Sequence, residues 1–338
     1  MKTKIAIYGG TNLSHELVVF VSALTKSLLK YPEVIIVSGG FDHYIKHPER
    51  KSVDRIVMET AKNFIDETEL KQRFETWVPK ENDRTKVVRF QEGKVVEVAG
   101  STQARRFNIV QNADAVITIK GEGNTRSVIE LALAINKPVL PIAFTGGDSK
   151  KMWKMYENDI VTMLKLPKEL KTELQDLPTS IRDIERMGKK VAGFMKEAVK
   201  KTCLILMPFG ESHDNFYDNY VEKAIINSNY FAHRIDRTDK AGNIPALFHT
   251  SLEIAKSVIV DITGYNANVM YELGHVHAKN IKPLIILRNI VEKQSEINDL
   301  PFYLKQEMIL KVNDNEEGYK KIKLAIENFL GLARSPTL

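Results

Sequence analysis

Glu272 stands where a carboxylate could do chemistry. It lies in DITGYNANVMYELGHVHA, residues 261–278, which begins as an apolar strand end and continues as a helix. Asp261 closes the strand, Asn266 and Asn268 are turn- and cap-forming types, and Glu272 comes one turn later. A carboxylate near a helix start gains about 0.3–1 kcal/mol from the helix dipole, so capping is its simplest role. The Asn268–Glu272 spacing is one residue longer than a capping box requires, which makes that role an imperfect fit. The same placement suits cleavage of a ribosyl bond. A carboxylate at a sheet rim, among Val269, Met270 and Tyr271, would meet the positive charge that develops at the anomeric carbon. NAD has a cationic leaving group and needs no general acid; a neutral purine wants one, and Asp261 is the nearest candidate.

A second set of residues could hold phosphates. Gly9-Gly10, Gly39-Gly40, KGEGNT and TGGDS each follow an apolar run that reads as a strand. Glycines let a phosphate reach backbone amides, and a following helix N-terminus adds about half a positive charge. GEGNTRSVIE is the sharpest of these: Gly121 and Gly123 form the turn, Thr125 is a cap and Arg126 a charge partner. Metal chemistry has no comparable pattern. His275 and His277 are two apart on a helix and face different ways, so no metal site is expected.

These residues need sheets to position them. Strand and helix patterns alternate from Ile5–Tyr8 through Val139–Ile142, and the strands are near-continuously apolar, as in parallel sheets covered on both faces. Residues 151–201 contain no good strand and read as a charged helical connector. Alternation restarts at Cys203–Met207 and runs to a terminal helix from about Glu317. The expected fold is α/β: two doubly wound parallel-sheet domains, 1–150 and 202–338, joined by that connector. A chain of 338 residues is long enough for two cores.

Composition narrows the function classes. The chain has 43% apolar and 27% charged residues, and no run of about 20 apolar residues to span a bilayer. The apolar part of MKTKIAIYGGTN is short and ends in Gly-Gly, so it reads as a first strand rather than a signal peptide. The single cysteine, Cys203, forbids an intrachain disulfide and fits a reducing, cytoplasmic setting. A net charge of +6 with lysines scattered among acids argues against a nucleic-acid groove.

Two resemblances sharpen these expectations. GGTN…VIIVSGG…ADAVITIKGEGNTRSVIELALAINKPVLPI, over roughly residues 1–150, resembles the SLOG superfamily, which includes the LOG enzymes that cleave a nucleotide's base–sugar bond. Thr125 and Glu130 match the family's Thr and helix-borne Glu. The proline-glycine-glycine lead-in of LOG enzymes is missing, and QARRFN only loosely resembles their arginine segment. The resemblance therefore implies the sensing form of SLOG, which binds a nucleotide-derived signal through Gly9, Gly10, Gly39, Gly40, Gly121, Gly123, Thr125, Arg126 and Glu130.

CLILMPFG…FYDNYVEKAI…NANVMYELGHVHAKNIKPLIIL, over about residues 202–290, resembles the nucleoside 2-deoxyribosyltransferase-like and TIR-like group. There the glutamate of a YELG-type segment, here Glu272, is the catalytic carboxylate. The resemblance places Phe209, Gly210, Tyr217, Asp218, Asn266 and Asn268 around the substrate, with Phe209 and Tyr217 stacking on a base and Asp218 touching sugar hydroxyls. Together the two resemblances imply a bacterial antiphage effector: NAD as substrate with no cofactor, a nucleotide-derived activator, and a homo-oligomer. Two alternatives are a nucleoside deoxyribosyltransferase or nucleotide N-glycosidase, and a non-catalytic nucleotide-binding scaffold.

Overall fold

A computed structural model describes residues 2–80, 86–237, 244–289, 304 and 307–332. The chain forms two compact units that divide between Val199 and Lys200. Each is a Rossmann-like α/β unit.

The first unit is built on six parallel strands: β1 (Thr3–Gly9), β2 (Val34–Ser38), β4 (Phe74–Pro79), β6 (Lys94–Val98), β7 (Ala115–Ile119) and β8 (Val139–Ile142). Their order is β6-β4-β2-β1-β7-β8. The chain first winds outward from β1 through β2, β4 and β6. It then returns to the other side of β1 with β7, so strand order reverses between β1 and β7. Loops at the carboxyl ends of these two strands part there and leave a crevice. Two further strands, β3 (Phe41–Tyr44) and β5 (Val87–Arg89), pair antiparallel as a ribbon outside the sheet.

Local signals account for most of this unit. β2, VIIVS, is buried at every position, as a central parallel strand covered on both faces must be. The helix His15–Leu29 starts where Ser14 accepts the Leu17 amide, and it buries Leu17, Phe20, Val21, Leu24 and Leu28 along one stripe. β4 and the preceding helix Glu67–Arg73 were not expected, because their buried positions include charges. Glu75 is buried on β4 with Lys4 at 2.9 Å and the Trp77 indole N–H at 3.0 Å. Buried Arg73 donates to the carbonyls of Leu29, Val34 and Tyr31. The segment expected as a connector packs into this unit. Its helix Ile181–Ala198 places Ile184, Met187, Val191, Ala192 and Met195 in the core that also holds Phe20 and Leu24.

The second unit has five parallel strands: β9 (Lys201–Leu206), β10 (Tyr230–Arg234), β11 (Ala255–Asp261), β12 (Leu284–Asn289) and β13 (Ile309–Asn313). Their order is β10-β9-β11-β12-β13. Strand order reverses between β9 and β11, which puts the ligand crevice of a flavodoxin-like sheet beyond their carboxyl ends. The helix Ile244–Ile254 passes directly into β11 at Ala255. No helix among the described residues is long and apolar enough to cross a membrane.

Candidate functional site

The crevice of the first unit is a cleft of about 410 Å³ at the carboxyl ends of β1 and β7. Of the residues read from the sequence as a phosphate cradle, Gly9, Gly10, Gly121 and Thr125 line it. Two loops close to backbone contact form its floor: a Cβ on Gly10 would lie 2.7 Å from the Gly121 nitrogen. Gly121 has φ +96, and a Cβ there would meet the Thr125 hydroxyl at 2.1 Å. Only glycines fit both places. The loop is braced from below, where Asp148 and Ser149 amides donate to the carbonyls of Gly121 and Lys120 at 2.8 and 3.0 Å.

Six cationic side chains line the same cleft: Arg50, Lys86, Arg89, Arg105, Arg106 and Lys120. Only two acids, Asp54 and Glu122, line it with them. Several of the cations are held by neutral acceptors, which fix them without cancelling their charge. Arg105 donates to the Gly39 carbonyl and, at 3.4 Å, to the Tyr8 hydroxyl. Arg106 donates to the same hydroxyl at 3.2 Å and to Gln103 at 2.7 Å. Lys120 donates to the Asn12 carbonyl at 2.6 Å. Arg105 is buried, and its Nε has no hydrogen-bond partner among the described residues. Burial, then the neighbouring Arg105 charge, pushes Arg89 down to about 10. Arginines crowded this closely call for an anion.

Asp54 is the buried counter-charge. Its carboxylate accepts from the Ser38 hydroxyl and the amides of Gly39 and Phe41 at 2.8–3.2 Å. Burial raises its pKa, and Arg105 together with these hydrogen bonds opposes the rise. Gly39 is a glycine because Arg105 occupies the space a Cβ would need, 2.4 Å from its Nη1. Gly39 therefore sits beside the cleft as a seat for arginine.

The remaining expected residues of this half lie elsewhere. Gly40 turns back, donating to Ser38 and accepting from Phe90. Gly123 caps the helix Asn124–Ala134 with φ +80 and does not line the cleft. Arg126 and Glu130 pair with each other at 2.9 Å on the surface, an ordinary i, i+4 contact. The six cations were missed, although QARRFN contained Arg105 and Arg106. A run of two arginines just past a helix start was the one available signal. The ribbon that brings Phe41, Tyr44, Lys86 and Arg89 to the cleft depends on an antiparallel pairing that strand–helix alternation does not reveal.

In the second unit, the helix Ala267–Ala278 starts at Asn266, whose side chain accepts the Asn268 and Val269 amides at 3.0 and 3.4 Å. Asn266 is thus a cap, and Asn268 an exposed residue of the first turn. Glu272 falls six residues past the cap, too far to join it. It is half-buried beside the core residues Val269, Leu273 and Val276, with no hydrogen bond or ion pair among the described residues. Burial alone pushes its pKa up to about 7. Tyr271 before it is 63% exposed and meets the His275 ring edge-on at 4.6 Å.

Asp261 is not free to act as an acid. Its carboxylate is buried, accepts the Thr263 amide at 3.0 Å, and takes both Nε and Nη2 of Arg288 at 3.0 Å. Tyr217 does not reach a base: it is 1% exposed, with Arg234 and Arg237 stacked over its ring at 4.6 and 4.9 Å. Asp218 is held by the Arg237 guanidinium. Phe209 is half exposed beside Gly210, which precedes the short helix Glu211–Phe216. Asp261, Tyr217, Asp218 and Asn266 are thus engaged in structural contacts, whereas Glu272 has no hydrogen bond or ion pair among the described residues and Phe209 stands half exposed. Among the described residues no group of three or more His, Cys, Asp and Glu could hold a metal.

Residues 33–198 match the model of STALD, the Sir2- and TIR-associating SLOG family. Among solved structures, the chain is similar to the structural-genomics target TM1055, at 25% identity over 46% of this chain and 81% of that one, with a TM-score of 0.34. It is also similar to the molybdenum cofactor carrier protein MCP from Chlamydomonas reinhardtii, at 14% identity over 58% of this chain and 99% of that one, with a TM-score of 0.37. DNA processing protein A from Helicobacter pylori shows 21% identity over 48% of this chain and 80% of that one, with a TM-score of 0.31. No curated protein matches the chain.

Proposed function

We propose that the first unit is a sensor for a nucleotide-derived anion and that the second unit cleaves an N-glycosidic bond, with NAD as the favoured substrate. One observation carries the sensor assignment: six cations converge on a glycine-floored cleft at the strand-order reversal of the unit whose residues 33–198 match a SLOG family model. Phosphates would lie on the Gly10 and Gly121 amides within reach of Arg105, Arg106 and Lys120. The aromatic rings of Phe41 and Tyr44 supply a face for a base. The family description associates this segment with Sir2 and TIR domains, which supports an effector on the same chain.

Glu272 supports the glycosidic chemistry of the second unit. Bond breaking at the ribosyl C1′ sends the electron pair to the nicotinamide nitrogen, which loses its positive charge. The carboxylate of Glu272 faces the ribosyl cation left behind. Water then adds to C1′ and gives up a proton, which a carboxylate titrating near 7 is suited to accept near neutral pH. The Asp261–Arg288 pair excludes Asp261 as the acid that a neutral purine would require, which favours NAD over purine nucleosides.

The test incubates the full chain with NAD and, separately, with a nucleoside panel, each with and without added nucleotides, and resolves products by chromatography. Nicotinamide release that a folded Glu272→Gln variant loses is the expected result. Base exchange between nucleosides would instead identify a deoxyribosyltransferase, and no cleavage of any substrate would identify a scaffold.

A further inference from the structure

The rim of the second unit holds a histidine whose protonation is set by its neighbours. Arg288, near the end of β12, is 3% exposed. Its guanidinium is gripped by Asp261 through Nε and Nη2 at 3.0 Å and by Asp314 through Nη1 at 3.0 Å. Tyr319 donates to the same Asp314 oxygen at 2.7 Å. Nη2 also lies 2.7 Å from Nδ1 of His213. A guanidinium has donors only and stays charged in proteins, so Nδ1 is the acceptor. The imidazole is therefore neutral and carries its proton on Nε2. The one side-chain hydrogen bond of His213 among the described residues is this one through Nδ1.

His213 lies on the helix that follows β9, and Glu272 on the helix that follows β11. These strands border the strand-order reversal, so the two residues lie on the two helices that follow the strands flanking the expected crevice. We infer that His213 is the hydrogen-bond donor of the second site, offering Nε2–H to an acceptor oxygen of the ligand's phosphate or ribose while Glu272 serves the glycosidic carbon. This rests on the ribosyl-cleaving reading and names a residue that sequence analysis did not. A neutral donor suits such a site, because an imidazolium would oppose the ribosyl cation. Burial first and Arg288 second lower the His213 pKa, with Arg234 adding to the effect; Asp261 and Asp314 act in the opposite sense. Arg288 is the positioning residue that keeps the donor neutral and oriented, and Asp261 and Asp314 hold Arg288 in place.

The test is long-range ¹H–¹⁵N NMR of the histidine rings in the full chain at pH 7, assigned with His213→Gln and followed during titration with NAD, AMP and nicotinamide riboside. The expected result is a neutral Nε2–H ring for His213 whose resonances move on ligand addition. Movement with NAD and AMP alone identifies the phosphate as acceptor, and movement with the riboside as well identifies the ribose. An imidazolium or an Nδ1–H tautomer overturns the inference, as does a ring unmoved by all three ligands. In turnover, His213→Ala should raise KM by about tenfold or more with a smaller change in kcat. His213→Gln, whose amide keeps a donor near the Nε2 position, should recover most of the loss. Wild-type KM and kcat in His213→Ala would also overturn it. If the chain turns over no substrate, the ribosyl reading fails by itself, and the NMR titration still decides the role of His213.

Discussion

Replacing Glu272 by glutamine should make the protein more stable, and only above a defined pH. The carboxylate is half-buried among Val269, Leu273 and Val276 with no partner among the described residues, and its pKa is pushed up from 4.5 to about 7. Below pH 4.5 the group is protonated in both folded and unfolded chains and contributes no difference. Between 4.5 and 7 the unfolded chain loses its proton while the folded chain keeps it. The unfolded state then binds fewer protons, and stability falls as pH rises. Above 7 the full cost of burying the charge is present. The displacement corresponds to about 3 kcal/mol at roughly 1.4 kcal/mol per pH unit, and residual solvent contact brings it to about 2–3. Glutamine keeps the shape and removes the charge. Urea unfolding of both proteins at pH 4 and pH 8 measures the difference. The variant should match the parent at pH 4 and exceed it by about 2–3 kcal/mol at pH 8. Equal differences at both pH values, or a less stable variant at pH 8, would refute an unpartnered buried carboxylate.

Other substitutions test the rest of the account. Arg105→Met removes the cation beside buried Asp54 and should cost about 3–5 kcal/mol in urea unfolding, with part of the loss recovered in the double variant that adds Asp54→Asn. Gly121→Ala forces a Cβ against Thr125 and should weaken nucleotide binding by about tenfold or more in calorimetric titration. Tyr217→Phe should leave turnover unchanged, whereas Tyr217→Ala should cost about 3–5 kcal/mol of stability, as for a core aromatic. Arg126→Ala should leave nucleotide affinity unchanged, because Arg126 pairs with Glu130 outside the cleft.

Much of the fold was legible because its central strands are uniformly apolar. VIIVS, AVITI and CLIL announce buried parallel strands, and the serine caps at Ser14, Ser52 and Ser101 mark where helices begin. FETWVP was illegible because Glu75 is buried on it and neutralised by Lys4 from β1, a partner 71 residues away. The glycine floor of the first cleft was legible because close backbone approach restricts residue type. Its cations were not, since arginine is ordinary on a surface and it takes the ribbon β3–β5, the helix Thr102–Asn112 and the segments carrying Arg50 and Lys120 to bring these together. In the second unit, Asp261 and Tyr217 were the expected chemistry-bearing types at the expected rim. What the sequence does not show is that Arg288, Arg234 and Arg237 arrive from other elements to occupy them.

The central claim is that the first cleft holds a nucleotide-derived anion on its cations. Equilibrium binding of a nucleotide panel to the full chain and to the Arg106→Ala/Lys120→Ala double variant tests it directly. At least one nucleotide should bind the parent with an affinity that falls as salt rises, and should bind the double variant about tenfold or more weakly. Binding unaffected by the double substitution, or no binding of any nucleotide to the parent, would contradict it.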